Sequence, residues 1–177
     1  MTGDPEQPPL YALVEIPKGS RNKYEYDPAL GRMVLDRTLW TSVVYPADYG
    51  YLMDTLGRDG DPVDAVILVA SPTFPGCVIP VEPIGVFEMT DEKGEDDKVL
   101  CVPFKDPTWS HMHDITDIRD SLLDEIAHFF DVYKDLEHGA DTVVGGWHGR
   151  SYADEIIAEG RRAYALQVAA TTAADGV

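Results

Sequence analysis

Residues 57–70 read GRDGDPVDAVILVA, with Asp59, Asp61 and Asp64 crowded directly ahead of an apolar run. Carboxylates at that spacing repel one another, so they are worth placing together only if they share a cation. Gly60 permits a tight turn and Pro62 fixes φ, which lets carboxylates two apart turn toward a common point. A second acidic stretch, MTDEKGEDDKV, sets Asp91 and Asp96 on either side of Gly94, with Lys98 just inside the next strand-like run. Alone, that stretch reads as a solvated hairpin tip. Two acidic loops bracketing a β-segment are different, because closing a barrel brings them together. Hard oxygen donors in this number suit Mg²⁺ or Mn²⁺, not a thiolate-bound zinc. A calcium EF-hand is excluded. Counted from Asp59, it puts Val63 at a ligand position, Asp64 where Gly is required and Ala70 where the closing Glu belongs.

Cations held this way need an anion to act upon. Lys23, Arg37, Lys98 and Lys134 are the candidate phosphate contacts among only 14 basic residues. Arg offers a planar fork and Lys a point charge, the two usual ways to hold phosphate oxygens. Tyr49 in YPADYGY and Tyr133 in VYKD add hydroxyl donors. Tyr45 and Tyr51 read equally well as a packed aromatic corner, and Tyr133 also falls on an apolar helical stripe. Charges stand on apolar strand faces as well: Glu15 beside Tyr11 and Leu13, Arg37 beside Met33 and Leu35. Lys23 and Glu25 share a face opposite Tyr24 and Tyr26. Either these faces are solvated or the strands converge on a polar cavity.

The elements that must position these groups are mostly short strands. Runs at 10–17, 22–27, 31–37, 64–70, 77–89 and 98–104 are punctuated by Gly, Pro and Asp clusters. No long helix alternates with them, which favours a small barrel over a parallel sheet. The fold class expected is mainly β with helices (α+β). A helix follows from 116 to about 139, striped by Ile118, Leu122, Ile126, Phe129, Tyr133 and Leu136. Thr116 or Asp117 is its expected cap, and His138 and Gly139 mark its end. A second helix is expected from Ser151, capped by SYAD, with Ile157, Tyr164 and Val168 on one face and Gly160 as a weak point. The chain reads as a single domain over 1–177, with a loose Pro-rich arm at 1–9 and a frayed tail at 170–177. It carries no internal repeat.

Composition sets the outer limits. The 177 residues, 44% hydrophobic, suit one globular domain with a sizeable core. A net charge of −18 argues against nucleic-acid or anionic-membrane binding, since the summed field repels phosphate backbones. A small anion remains possible where local cations reverse the sign. Cys77 and Cys101 lack CxxC spacing and read as buried thiols. The N-terminus has no signal-peptide pattern, and no apolar run approaches the roughly 20 residues of a bilayer span. A cytoplasmic location is the expectation.

The stretches EIPKGSRNKYE, LDR, YPADYGY, DGDPVD, MTDEKGEDDK and FFDVYKDLE, in this order, resemble the soluble Mg²⁺-dependent inorganic pyrophosphatases of the first family. The likeness runs from about Leu10 to Glu137, and KVLCVPFKDPTWSH looks most like actinobacterial members. The resemblance implies an OB-like five-stranded closed β-barrel with two C-terminal helices packed outside, usually a homo-hexamer in bacteria. It implies hydrolysis of pyrophosphate, arriving as its magnesium complex, to two phosphates. It implies Asp59, Asp64 and Asp96 as metal ligands, Asp64 bridging two ions, with Asp91 and Glu15 holding more. Asp61 takes the proton of the attacking water in that scheme. Lys23, Arg37, Tyr49, Lys98, Tyr133 and Lys134 contact the phosphates, and Glu25 plays a supporting part. After the long helix, HGADTVVGGWHGR departs from the more basic stretch of relatives. Rival readings are a nucleotide or polyphosphate hydrolase and a non-catalytic barrel that binds divalent metal.

Overall fold

Alternation of apolar residues builds the sheet that carries everything else. The computed structural model describes residues 10–91, 94–138 and 142–175; the expected N-terminal arm and the helix stop at Gly139 lie outside these described residues. In chain order the strands are β1 (Leu10–Ile16), β2 (Asn22–Asp27), β3 (Arg32–Thr38), β4 (Asp48–Leu52), β5 (Asp64–Ile67), β6 (Val78–Asp91), β7 (Gly94–Glu95) and β8 (Lys98–Pro103). Helix α1 (Asp120–Val132), strand β9 (Val143–Gly149) and helix α2 (Arg150–Asp175) follow.

Strands β1, β4, β5, β8 and β6 pair in that order, and the ring closes because β6 also pairs with β1. All of these pairings are antiparallel except β5 with β8. The two faces of the ring then follow from the two-residue period. Ala12, Val14, Leu52, Ala65, Ile67, Val99 and Cys101 turn inward and pack in one cluster. From α2, Ala153 and Ile157 join that cluster and fix the helix against the barrel. Outward go Val66, Leu68, Leu100 and Val102, covered by Ile126, Phe129 and Phe130 of α1. Phe130 stacks on Phe87 with ring centroids 5.7 Å apart. Each such fully buried ring contributes about 1.5–3 kcal/mol. Asp64 shares its parity with Val66 and Leu68, and Lys98 shares its own with Leu100 and Val102. Both therefore stand on the outer face, and a one-residue slip in register would drive them into the apolar interior.

The hairpin β2–β3 forms its own two-stranded sheet beside this face. Its register shifts between Lys23 and Tyr24, so that Lys23 stands opposite Arg37 while Tyr24 stands opposite Leu35.

The α+β barrel matches the expected class, but several elements differ from expectation. β4 and β9 are strands that the sequence reading did not assign. YPADYGY is too short and too tyrosine-rich to alternate visibly, and the glycines of VVGGWHG mask β9. Helix α1 starts at Asp120 and not at 116; Asp114 caps a separate 3₁₀ turn, Ile115–Asp117, and its own backbone N–H donates in return to the Asp117 carboxylate. It stops at Val132, which leaves Leu136 exposed outside the helix. SYAD provides no start for α2, because β9 runs straight into it at Arg150. The helix also continues to Asp175 where fraying from 170 was expected, and Val168 lies on its exposed side. Both cysteines are free thiols, but Cys77 is only half-buried.

Candidate active site on the outer face of the barrel

One cavity of about 920 Å³ opens on the outer face, between β1, the β2–β3 hairpin, the aspartate loop, the β6–β8 turn and the end of α1. Glu15, Lys23, Arg37, Tyr49, Asp59, Asp61, Asp64, Asp91, Asp96, Lys98, Tyr133 and Lys134 all line it. Each residue singled out from the sequence is thus brought to the same place, from segments more than a hundred positions apart.

Lys98 sits at the centre. It is 1% exposed, and its ammonium donates to Asp64 Oδ2 at 2.9 Å, Asp96 Oδ1 at 2.8 Å and the Tyr49 hydroxyl at 3.0 Å. Tyr49 in turn donates to Asp64 Oδ2 at 2.6 Å. Burial works to push the Lys98 ammonium down, but the charges of Asp64 and Asp96 outweigh it and hold it above the usual lysine range. The two carboxylates part company. Burial acts on both, yet the Lys98 charge and the Tyr49 bond keep Asp64 low, while burial and the neighbouring Asp64 charge raise Asp96. A proton entering this pair therefore goes to Asp96 first.

The rim is equally charged. Glu15 Oε1 accepts from the Tyr26 backbone N–H at 2.8 Å, which pins the hairpin to β1. Burial first, then Asp64 and Glu25, push Glu15 up to about 7, although the Tyr26 bond opposes them. Lys23 bonds Glu25 and lies 3.5 Å from Asp36. Lys134 stands 3.6 Å from Asp91, both nearly buried. Arg37 directs Nε and Nη2 at the two carboxylate oxygens of Glu137, at 3.1 and 2.8 Å, and Nη1 at Asp36. Asp36 and Glu137 are site residues that sequence reasoning did not single out. No local signal marks the second, since the chain separates it from Arg37 by 100 positions.

Asp61 is exposed at the mouth. Its backbone N–H donates to Asp59 Oδ1 at 3.1 Å and its carbonyl accepts from Gly57 at 2.7 Å, so the loop closes upon itself. Gly60 holds φ +91°, a conformation that side chains rarely adopt, and this is what turns Asp59 and Asp61 to the same side. Tyr133 serves both of the readings left open, since it packs in the outer cluster and lines the cavity.

The donor set fits a hard divalent cation by type: it is oxygen-only, anionic and grouped on one cavity. Among the described residues no three acidic side chains converge tightly enough to enclose an ion by themselves.

A closed strand ring that gathers carboxylates, lysines, an arginine and tyrosines around one open cavity makes this an OB-like barrel with a densely charged site on its outer face. Comparison with known proteins narrows this class. The family profile described as inorganic pyrophosphatase matches residues 12–165. The inorganic pyrophosphatase of Streptomyces coelicolor is 54% identical over 144 residues, covering 81% of this chain and 88% of its own. That of Methanosarcina mazei is 50% identical over 155 residues, covering 88% and 91%. The crystal structure of the Thermus thermophilus inorganic pyrophosphatase superposes with a TM-score of 0.87 at 41% identity, covering 93% of this chain and 96% of that one. The chain belongs to the inorganic pyrophosphatase family.

Proposed function

We propose that this protein hydrolyses inorganic pyrophosphate to two phosphates by direct phosphoryl transfer to water. One observation carries the reading: a buried lysine joined to two aspartates stands in a cavity lined by further acids and further cations. Phosphoryl transfer asks a protein for positioning and charge stabilisation, not covalent chemistry. Glu15, Asp59, Asp64, Asp91 and Asp96 would hold the divalent ions, Mg²⁺ in use and Mn²⁺ as a substitute. When bound, such ions lower the pKa of water and neutralise charge developing on phosphate oxygens. Asp61, exposed at the mouth beside Asp59, accepts the proton released as water attacks. Lys23, Arg37, Lys98 and Lys134 take the phosphate oxygens, with Tyr49 and Tyr133 as hydroxyl donors. Their charges are preorganised by Glu25, Asp36, Asp64, Asp91, Asp96 and Glu137, so little reorganisation is left for the reacting complex.

The same reading includes magnesium pyrophosphate as the form that arrives, since the net charge of −18 repels the bare anion. It includes a homo-hexamer in the cytoplasm, with neither nucleic acid nor membrane as partner. Among the described residues no helix is long and apolar enough to cross a membrane.

The test is phosphate release from pyrophosphate as Mg²⁺ is titrated from zero, with ATP as control. Steep metal-dependent release confined to pyrophosphate is expected; equal turnover of ATP would move the protein to a nucleotide hydrolase. Asp61→Asn should keep fold and ion binding and lose about 10²–10⁴-fold in turnover, the usual worth of a general base. Full activity in that variant would move the proton acceptor elsewhere, Asp96 first.

A further inference from the structure

Just outside the cavity, Arg58 joins three segments. Its Nη1 donates to Glu95 Oε2 at 2.5 Å, and its Nε and Nη2 donate to the two oxygens of Glu159, both at 3.2 Å. Arg58 directly precedes Asp59, and Glu95 directly precedes Asp96. Glu159 belongs to α2, an element with no acidic side chain in the site. The helix is seated close to the aspartate loop at the next residue. The Gly160 carbonyl accepts from Leu56 N–H at 3.0 Å, and a side-chain carbon on Gly160 would stand 3.0 Å from Val63 Cγ2.

The aspartate loop is closed mainly by bonds to itself, Gly57 to Asp61 and Gly60 to Gly57. The other loop is held by the two register pairs of β7, by Asp96 N–H on Met89, and by Asp97, which accepts from Met89 N–H at 3.2 Å and from the Tyr152 hydroxyl of α2 at 3.4 Å. Inside the site Lys98 links Asp64 to Asp96, but in the proposed reaction that ammonium turns part of its bonding to phosphate. Arg58 makes its cross-link at the exposed edge of the cavity, which Glu95 lines and Arg58 itself does not.

We propose that Arg58 is a positioning residue: it forks between Glu95 and Glu159, sets the distance between the loops of Asp59 and Asp96, and thereby preorganises the divalent-ion site. The proposal rests on the reading of Asp59, Asp64 and Asp96 as ion ligands. Geometry and charge make opposite predictions here, which allows them to be separated. Loss of the fork loosens the site and weakens ion binding. Loss of a positive charge alone would strengthen the binding of a cation. Lysine keeps the charge but lacks the planar fork that reaches both glutamates.

The experiment is calorimetric titration of the full chain with Mg²⁺ alone, in chelator-treated buffer at 0.15 M salt, with turnover measured separately. Arg58→Lys and Arg58→Gln should each weaken ion binding about three- to tenfold, and Glu159→Gln should cost less in the Arg58→Lys background than it costs alone. Turnover at saturating Mg²⁺ should stay within about twofold of the parent. Unchanged binding in Arg58→Lys, tighter binding in Arg58→Gln or fully additive losses would each overturn the proposal. Asp64→Asn distinguishes the two levels. If it abolishes binding while Arg58→Lys does not alter it, only the proposal fails. If Asp64→Asn binds Mg²⁺ as the parent does, the ligand assignment fails and takes the proposal with it.

Discussion

Lys98 shows how one side chain holds the site together. A buried ammonium tolerates its surroundings because Asp64, Asp96 and Tyr49 use its donors, and removing it leaves two carboxylates facing each other without compensation. Lys98→Met should therefore cost about 3–5 kcal/mol. The loss should be smaller at pH 5.5 than at pH 8, because the carboxylates can take up protons. Thermal denaturation at the two pH values checks this, and an equal loss at both would argue against the pairing. Glu15 gives a second prediction. Its value is pushed from 4.5 up to about 7 by burial ahead of the neighbouring acids. Between those values the folded state keeps a proton that the unfolded chain has lost, so stability falls as pH rises from about 4.5 to 7 and then levels. Glu15→Gln should remove that slope and stabilise the protein at pH 8 by about 1–2 kcal/mol after allowance for solvent screening. Urea unfolding in chelator at pH 5 and pH 8 measures it; an unchanged slope in the variant would refute the assignment.

At the scale of elements, α2 matters more than its composition suggests. Gly160 reads as a defect in the middle of a helix, worth about 1 kcal/mol against Ala. The structure supplies its reason, since the helix backbone meets Thr55, Leu56 and Val63 there with no room to spare. Gly160→Val should destabilise by about 1–3 kcal/mol through overpacking. For a chain of this length that lowers the melting temperature by roughly 2–12 °C. A variant melting at or above the parent's temperature would show that the contact yields easily. The strands were legible where apolar alternation runs long, as in β1 and β6. β4 and β9 were hidden because tyrosines and glycines blur the period. Helix α1 was found by its stripe but drawn too long, since Leu136 keeps the spacing after Val132 has ended the helix.

The whole molecule carries −18, yet large apolar side chains remain on its surface, among them Leu35, Trp40, Phe74 and Leu166. The proposed homo-hexamer would cover part of that surface. Light scattering behind size exclusion should give a mass six times the 19.5 kDa of one chain. A monomeric mass at micromolar concentration would remove the hexamer from the reading. Electrostatics also act at this scale. The proposed substrate is a polyanion, and the cavity sets Lys23, Arg37, Lys98 and Lys134 among a larger number of carboxylates, so in the proposed reading bound divalent ions would complete the local reversal of the field.

By itself the sequence determined the residue types of the site, the barrel class and the family resemblance. All three depend on short-range order: the crowding of Asp59, Asp61 and Asp64, the two-residue period of the strands, and motifs that stand contiguous in the chain. Only the tertiary structure decided who partners whom. Glu137 on Arg37, Lys98 between Asp64 and Asp96, and Arg58 between Glu95 and Glu159 each join segments whose proximity comes from closing the ring and seating α1 and α2. Charges attract according to distance in space, and a linear pattern states only distance along the chain.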